Sequence, residues 1–166
     1  MTKRAPGGVL LALDAGVRET GWAVFDAAGS PSQHGTGVVK APAPRRSGAT
    51  ARVNHLMLAL DQLVDQWGPA VLTHSRPSGI HWPVPALDLL EAELAGWAAR
   101  HGLPLYAYTA QEVRSAIAGQ ANASQDQLAF ATMERLGLIG QSKTAHEWEA
   151  LAVGVYHLRR SLSQAA

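Results

Sequence analysis

The chain contains no cysteine. That excludes disulfides, thiol nucleophiles and cysteine-ligated metal sites. Charge is scarce as well. Charged residues make up 16% of 166 residues, and 14 Lys and Arg against 13 Asp and Glu leave a formal net charge of +1. So small a net charge argues against a generic polyanion binder. No apolar run approaches the roughly 18 residues of a membrane-spanning helix. The N-terminal MTKRAPGG carries two basic residues, but the apolar run behind it, Val9 to Leu13, is short and meets Asp14. A signal-peptide core tolerates such a carboxylate poorly, so the expected location is the cytoplasm. Hydrophobic residues, in contrast, reach 47%. That is enough to bury the core of one folded domain of ordinary size and is not the composition of a disordered chain.

Val9 to Asp14 reads as a buried strand that ends in a carboxylate. Thr20 to Asp26 reads as a second strand and His34 to Lys40 as a third, with a turn signal, Ala-Ala-Gly-Ser-Pro, at 27–31. Residues 41–50 read as a loop. A helix follows, with Val53, Leu56, Leu60, Leu63, Val64 and Trp67 at spacings of three and four, stopped by Gly68-Pro69. Ala70 to Thr73 is a short strand. Ser75 to Pro85, with its prolines and glycine, is expected to be a loop. Ala86 to His101 is helical, with Leu94 and Trp97 on one side, and Leu105 to Tyr108 is the fifth strand. Three capping boxes, Thr109/Glu112, Ser124/Gln127 and Thr144/Glu147, start three further helices. The expected fold is therefore α/β: a mixed five-stranded sheet, with three antiparallel strands followed by βαβ crossovers, flanked by helices. With no repeat, low-complexity tract or linker in view, residues 9–160 are expected to form one domain, with 1–8 and 161–166 as tails.

Two places invite chemistry. A carboxylate at the end of a buried strand, such as Asp14, is costly unless it is paired or binds a metal. It opens the pattern Asp14-x-Gly16-x-x-x-Thr20-Gly21. Spacing alone leaves two readings at roughly even odds: a functional acid, or an Asp that caps its own turn. The second place is His146-Glu147-Trp148-Glu149. Glu147 is explained by its capping box. His146 and Glu149, three apart, share a helix face and suit a divalent metal, although a solvated acidic first turn is the likelier reading of that segment alone.

Taken together, these segments resemble the RuvC family of Holliday-junction resolvases. Leu11 to Val24 is similar to the family's I-D-P-G-x-x-x-T-G-x-x-V opening. Residues 69–75 resemble the strand that carries its second acid. Residues 103–119 are similar to P-x-x-x-Y-x-P/A-x-x-V-K-x-x-x-x-G, residues 124–128 resemble the start of the next helix, and residues 146–157 are similar to D/H-x-A-D-A-L-A-x-A-x-x-H. The resemblance implies an RNase H-like fold, a homodimer and cleavage of branched DNA by two Mg²⁺ (or Mn²⁺) ions. By position it makes Asp14, His146 and Glu149 metal ligands. The family's remaining Glu falls on Ser75, or on His74 after a one-residue shift, and neither is a carboxylate. Glu19, Glu91 and Glu93 are the nearby acids that could stand in. Arg114 keeps the family's basic residue, whereas Gln125 stands where another is expected.

The charge pattern also points to DNA. No acid lies between Asp26 and Asp61, a window with Lys40, Arg45, Arg46 and Arg52, nor between Asp65 and Asp88, a window with Arg76, His74 and His81. Such local patches bind phosphates whatever the net charge. The expected DNA contacts are therefore Arg45, Arg46, Arg52, Arg76 and Arg114. Trp82 in the Pro-rich loop is placed to stack on or wedge between bases, or else to fold back on the domain. Two functions follow: a metal-dependent resolvase of Holliday junctions or related branched DNA, or a protein of the same fold that binds branched DNA without cutting it efficiently. An actin-like or sugar-kinase phosphate loop, which needs two such domains, is a distant third.

Overall fold

The computed structural model describes residues 8–26, 32–42, 48–76 and 85–165. In chain order the elements are β1 (Val9–Asp14), β2 (Glu19–Asp26), β3 (Ser32–Lys40), α1 (Ala49–Trp67), β4 (Val71–Arg76), α2 (Pro85–Arg100), β5 (Leu105–Thr109), α3 (Ala110–Ala118), α4 (Gln125–Leu136) and α5 (Ala145–Ala165). One five-stranded sheet runs in the order β3-β2-β1-β4-β5. β1 and β3 pair antiparallel with β2, while β1–β4 and β4–β5 are parallel. This is the mixed α/β sheet the sequence pattern predicts. The expected turn at 27–31 lies outside the described residues. Among the described residues, no helix is long and apolar enough to cross a membrane.

The apolar run of β1 has no polar alternation because both sheet faces are covered. Leu10 and Ala12 face α5, together with Ala23, Phe25, Leu151 and Val155. Leu11 and Leu13 face α1 and α2, together with Leu56, Leu60, Leu94 and Trp97. Trp97 is thus a core residue, 2% exposed, and its indole N–H donates to Asp61 Oδ1 at 2.7 Å. All three predicted capping boxes form.

Two boundaries differ from the sequence reading by more than two residues. β4 continues through Ser75 to Arg76 rather than breaking into a loop after Thr73. Its backbone is paired on both sides, with β1 and with β5, so ladder hydrogen bonding overrides the weak strand preference of Ser. α5 runs on to Ala165, so residues 161–165, read as a tail, are the exposed last turns of that helix.

α5 lies close against the sheet because two glycines admit it. A Cβ on Gly154 would sit 2.2 Å from the Phe25 ring, and one on Gly21 would sit 2.1 Å from the His146 carbonyl oxygen. At its far end His157, 7% exposed, shares a 2.8 Å hydrogen bond with the Tyr108 hydroxyl through Nδ1. Burial holds His157 below the ordinary imidazole range, and it does the same to His74.

These two groups give a sign. In both, burial resists protonation of the folded state, so the unfolded chain takes up the protons first. Their contribution is complete above about pH 6.5 and is lost as pH falls, by at most about 1.4 kcal/mol per pH unit for one proton. His146 acts in the opposite sense, since its pKa is raised. The comparison of wild type with His157→Gln isolates one group. Urea unfolding between pH 7.5 and 5.5 is expected to show a shallower loss in the variant. Equal slopes would contradict this account.

Candidate active site

The site forms where β1 and β4, running parallel, end side by side. Asp14 is paired in register with Ser75 on one side and with Gly21 on the other. Side chains alternate along a strand, so Asp14 follows Leu10 and Ala12 onto the α5 face, and Ser75 follows Thr73 onto the same face. His74 points the other way. It pairs with Leu13, is 3% exposed and bonds through Nδ1 to the Ser75 carbonyl oxygen at 3.2 Å. Register therefore selects Ser75, not His74, as the residue beside Asp14.

The pattern that opens with Asp14 has a physical explanation. Thr20, not Asp14, closes the turn, its hydroxyl donating to the Gly16 carbonyl at 2.9 Å. Gly16 leaves no room for a side chain, since a Cβ there would meet the Glu19 carbonyl at 2.4 Å. Gly21 is bare so that α5 can begin directly over the end of β1. Asp14 is freed for tertiary contacts: Oδ1 accepts from the Ser75 hydroxyl at 3.1 Å, and Oδ2 lies 2.7 Å from His146 Nδ1. The hydrogen bond to Asp14, with its negative charge, raises the His146 pKa above the ordinary imidazole range. His146 Nε2 lies 3.3 Å from Glu19 Oε2.

Glu149 stands one helical turn beyond His146. Its Oε1 accepts from Arg114 Nη2, and both side chains are shielded, at 13% and 17% exposed. Arg114 is braced by a second bond, Nε to the Ala123 carbonyl at 2.9 Å. Burial raises the Glu149 carboxyl above its usual range, and the nearby Asp14 adds to this, against the pull of Arg114 and His146. Asp14, Ser75, Arg76, Arg114, His146 and Glu149 line one pocket of about 200 Å³. His146 is also part of the wall of an adjoining cavity of about 580 Å³, with Arg18, Glu19, Arg52 and Leu87.

Of the predicted site residues, Asp14, Ser75, His146, Glu149, Arg76 and Arg114 meet in the first pocket, and Arg52 lies in the second. Arg45, Arg46, Trp82 and His81 lie outside the described residues. None of the three substitute acids lines the first pocket. Glu19 is on the far side of His146, Glu91 is 4.0 Å from Arg76, and Glu93 lies on a separate surface with Asp61 and Asp65. Sequence reasoning missed Arg18. Its signal was a basic residue inside a tight turn at the carboxyl end of a strand. It also missed that Arg114 reaches Glu149.

The donors can be tested against a divalent cation. Two carboxylates and an imidazole facing one small pocket suit a single hard ion. Ser75, beside Asp14, adds a hydroxyl and no charge to that set. Nor are they gathered yet: among the described residues, no three His, Asp or Glu side chains are placed to share an ion. Glu149 is held by Arg114 instead.

Known proteins resemble this chain over most of its length. The family model described as crossover junction endodeoxyribonuclease RuvC matches residues 10–157. The RuvC of Saccharopolyspora erythraea is 30% identical over 154 residues, covering 92% of this chain and 77% of that protein. The RuvC of Maricaulis maris is 32% identical over 151 residues, covering 89% of each. The structure of Thermus thermophilus RuvC in complex with a Holliday junction substrate superposes with a TM-score of 0.79 at 22% identity, over 96% of this chain and 98% of that one. The fold is thus RNase H-like, and the chain belongs to the RuvC family of crossover junction endodeoxyribonucleases.

Proposed function

We propose that this chain is a structure-selective endonuclease that hydrolyses backbone phosphodiesters in four-way junctions or related branched DNA. The observation that carries the reading is the meeting of Asp14 from β1 with His146 and Glu149 from α5 in one pocket rimmed by arginines. The relatives named above share the family, and the Thermus thermophilus protein was seen with a Holliday junction.

Each residue then has a task. Asp14, Glu149 and His146 would hold Mg²⁺ or Mn²⁺. The ion, when bound, polarises the phosphate and makes a water acidic enough to attack. Asp14 supplies charge from a strand end, where it also accepts from Ser75 and lies against His146. Arg76 and Arg114, and Arg52 in the adjoining cavity, supply positive charge to backbone phosphates. Arg45, Arg46 and Trp82 are proposed to extend that surface. The family's two-ion arrangement would require a carboxylate that Ser75 does not provide, so one ion is the state these donors support. A homodimer is proposed because a two-fold symmetric junction presents two equivalent strands for symmetric incision.

Ser75 favours a second reading, in which the chain binds branched DNA and cuts it slowly. One assay separates the two. An end-labelled four-way junction is incubated with Mg²⁺ or Mn²⁺, and binding and symmetric nicking are both measured. The enzyme reading expects nicking. Binding with no nicking under either ion leaves the binding protein. No binding at low salt removes both. Ser75→Glu restores a charged ligand beside Asp14 and is expected to raise the cleavage rate about tenfold or more, about 1.4 kcal/mol of barrier. It is also expected to destabilise the ion-free fold through repulsion with Asp14.

A further inference from the structure

We infer that Arg114 withholds Glu149 from divalent metal until backbone phosphate draws the guanidinium away, so that metal and branched DNA load this site cooperatively. The inference rests on the metal-dependent reading above and adds a regulation to it.

The Arg114–Glu149 pair joins α3 to α5 inside the pocket that also contains Asp14 and Ser75. A cation on Glu149 must displace or be repelled by the guanidinium that now occupies its carboxylate. This accounts for the absence of a ready metal cage among the described residues, even though the donor chemistry is present. Arg114 has two attachments in the pocket. Its Nε donates to the Ala123 carbonyl, while Nη2 engages Glu149, so Nη2 can change partner without breaking the first bond. A guanidinium has five N–H donors in a planar fork that fits two phosphate oxygens well. A phosphate entering between Arg76 and Arg114 offers that partner. Once the guanidinium pairs with phosphate, the Glu149 carboxylate is released and becomes available to a cation in the pocket it shares with Asp14. Linkage makes the effect reciprocal: whatever factor DNA adds to metal affinity, metal adds to DNA affinity.

A merely structural ion pair gives the opposite sign. Removing it would loosen α3 against α5 and weaken every ligand. Removing a gate tightens metal binding. Mn²⁺ binding is measured by the loss of the free-ion paramagnetic resonance signal, without DNA, for wild type, Arg114→Gln, Glu149→Gln and the double variant. The expected result is about tenfold tighter Mn²⁺ binding in Arg114→Gln. In the Glu149→Gln background the same change is expected to have an effect of less than twofold. Arg114→Met, which preserves the packing of the stem, serves if Arg114→Gln lowers the melting temperature. Unchanged or weaker Mn²⁺ binding in a folded Arg114 variant overturns the gate and leaves the metal reading intact. No Mn²⁺ binding by any variant, with a four-way junction present as well as without, overturns both.

Discussion

Asp14→Asn is expected to lower the rate of junction cleavage by about a thousandfold or more while leaving junction binding, measured without divalent metal, intact or slightly tighter. The side chain stands on a strand whose residues Leu10–Leu13 are fully buried, so its position does not depend on its charge. Asparagine keeps the size and one oxygen to accept from Ser75. It loses the negative charge opposite His146 and one of only two carboxylates in the pocket. A thousandfold corresponds to about 4 kcal/mol of barrier, the scale of a directly bound ion's contribution. Binding holds because the arginines that meet phosphate are untouched and the rim becomes less negative. Gel shift and nicking on the same junction check both halves. Cleavage within about tenfold of wild type would remove Asp14 from the chemistry.

Gly21→Ala is the second large effect, and it acts through geometry alone. Gly21 lies beside Asp14 in register, and its added Cβ would fall 2.1 Å from the His146 carbonyl oxygen and 2.9 Å from the His146 Cβ. The first obstacle is backbone, which cannot rotate aside as a flexible side chain would. The start of α5 must move outward. Overpacking of this kind costs about 1–3 kcal/mol, about 2–4 °C of Tm per kcal/mol for a chain of this size. A shift of about 1 Å between His146 and Asp14 is expected to cost about a hundredfold in rate. Gly96→Ala, inside α2 where the added Cβ would meet just the Arg100 side chain at 3.4 Å, is the control and is expected not to lower the Tm. Normal melting and normal cleavage in Gly21→Ala would show that α5 does not need this close approach.

Much of the fold is legible from local signals. The capping boxes mark helix starts because they satisfy orphan amides within four residues, with no help from elsewhere. The apolar run of β1 announces a strand covered on both faces. The end of β4 is not legible. Ser75 and Arg76 followed by Pro77 read as loop, and only pairing with β1 and β5 keeps them in the sheet. Leu94 and Trp97 show the same limit. Periodicity places them on one helix face, but that this face is buried with Leu11, Leu13, Leu56 and Leu60 is decided by tertiary packing.

The charge arithmetic has a similar fate. A net charge of +1 hides acid-free windows, and two of their basic residues come to the site, Arg76 in the carboxylate pocket and Arg52 in the adjoining cavity. By itself the sequence determined the residue types of that pocket and their order along the chain: an acid ending the first strand, a glycine beside it, a histidine and an acid one turn apart on the last helix. The resemblance to the RuvC family, also read from the sequence, implied that a carboxylate is missing. Those facts are local and need no coordinates. Three things were decided only by tertiary structure: that Ser75 rather than His74 stands beside Asp14, that Thr20 releases Asp14 from its turn, and that Arg114 occupies Glu149. Each depends on register or on helix placement between segments tens of residues apart, and long-range geometry of that kind is set by the packing of the whole sheet.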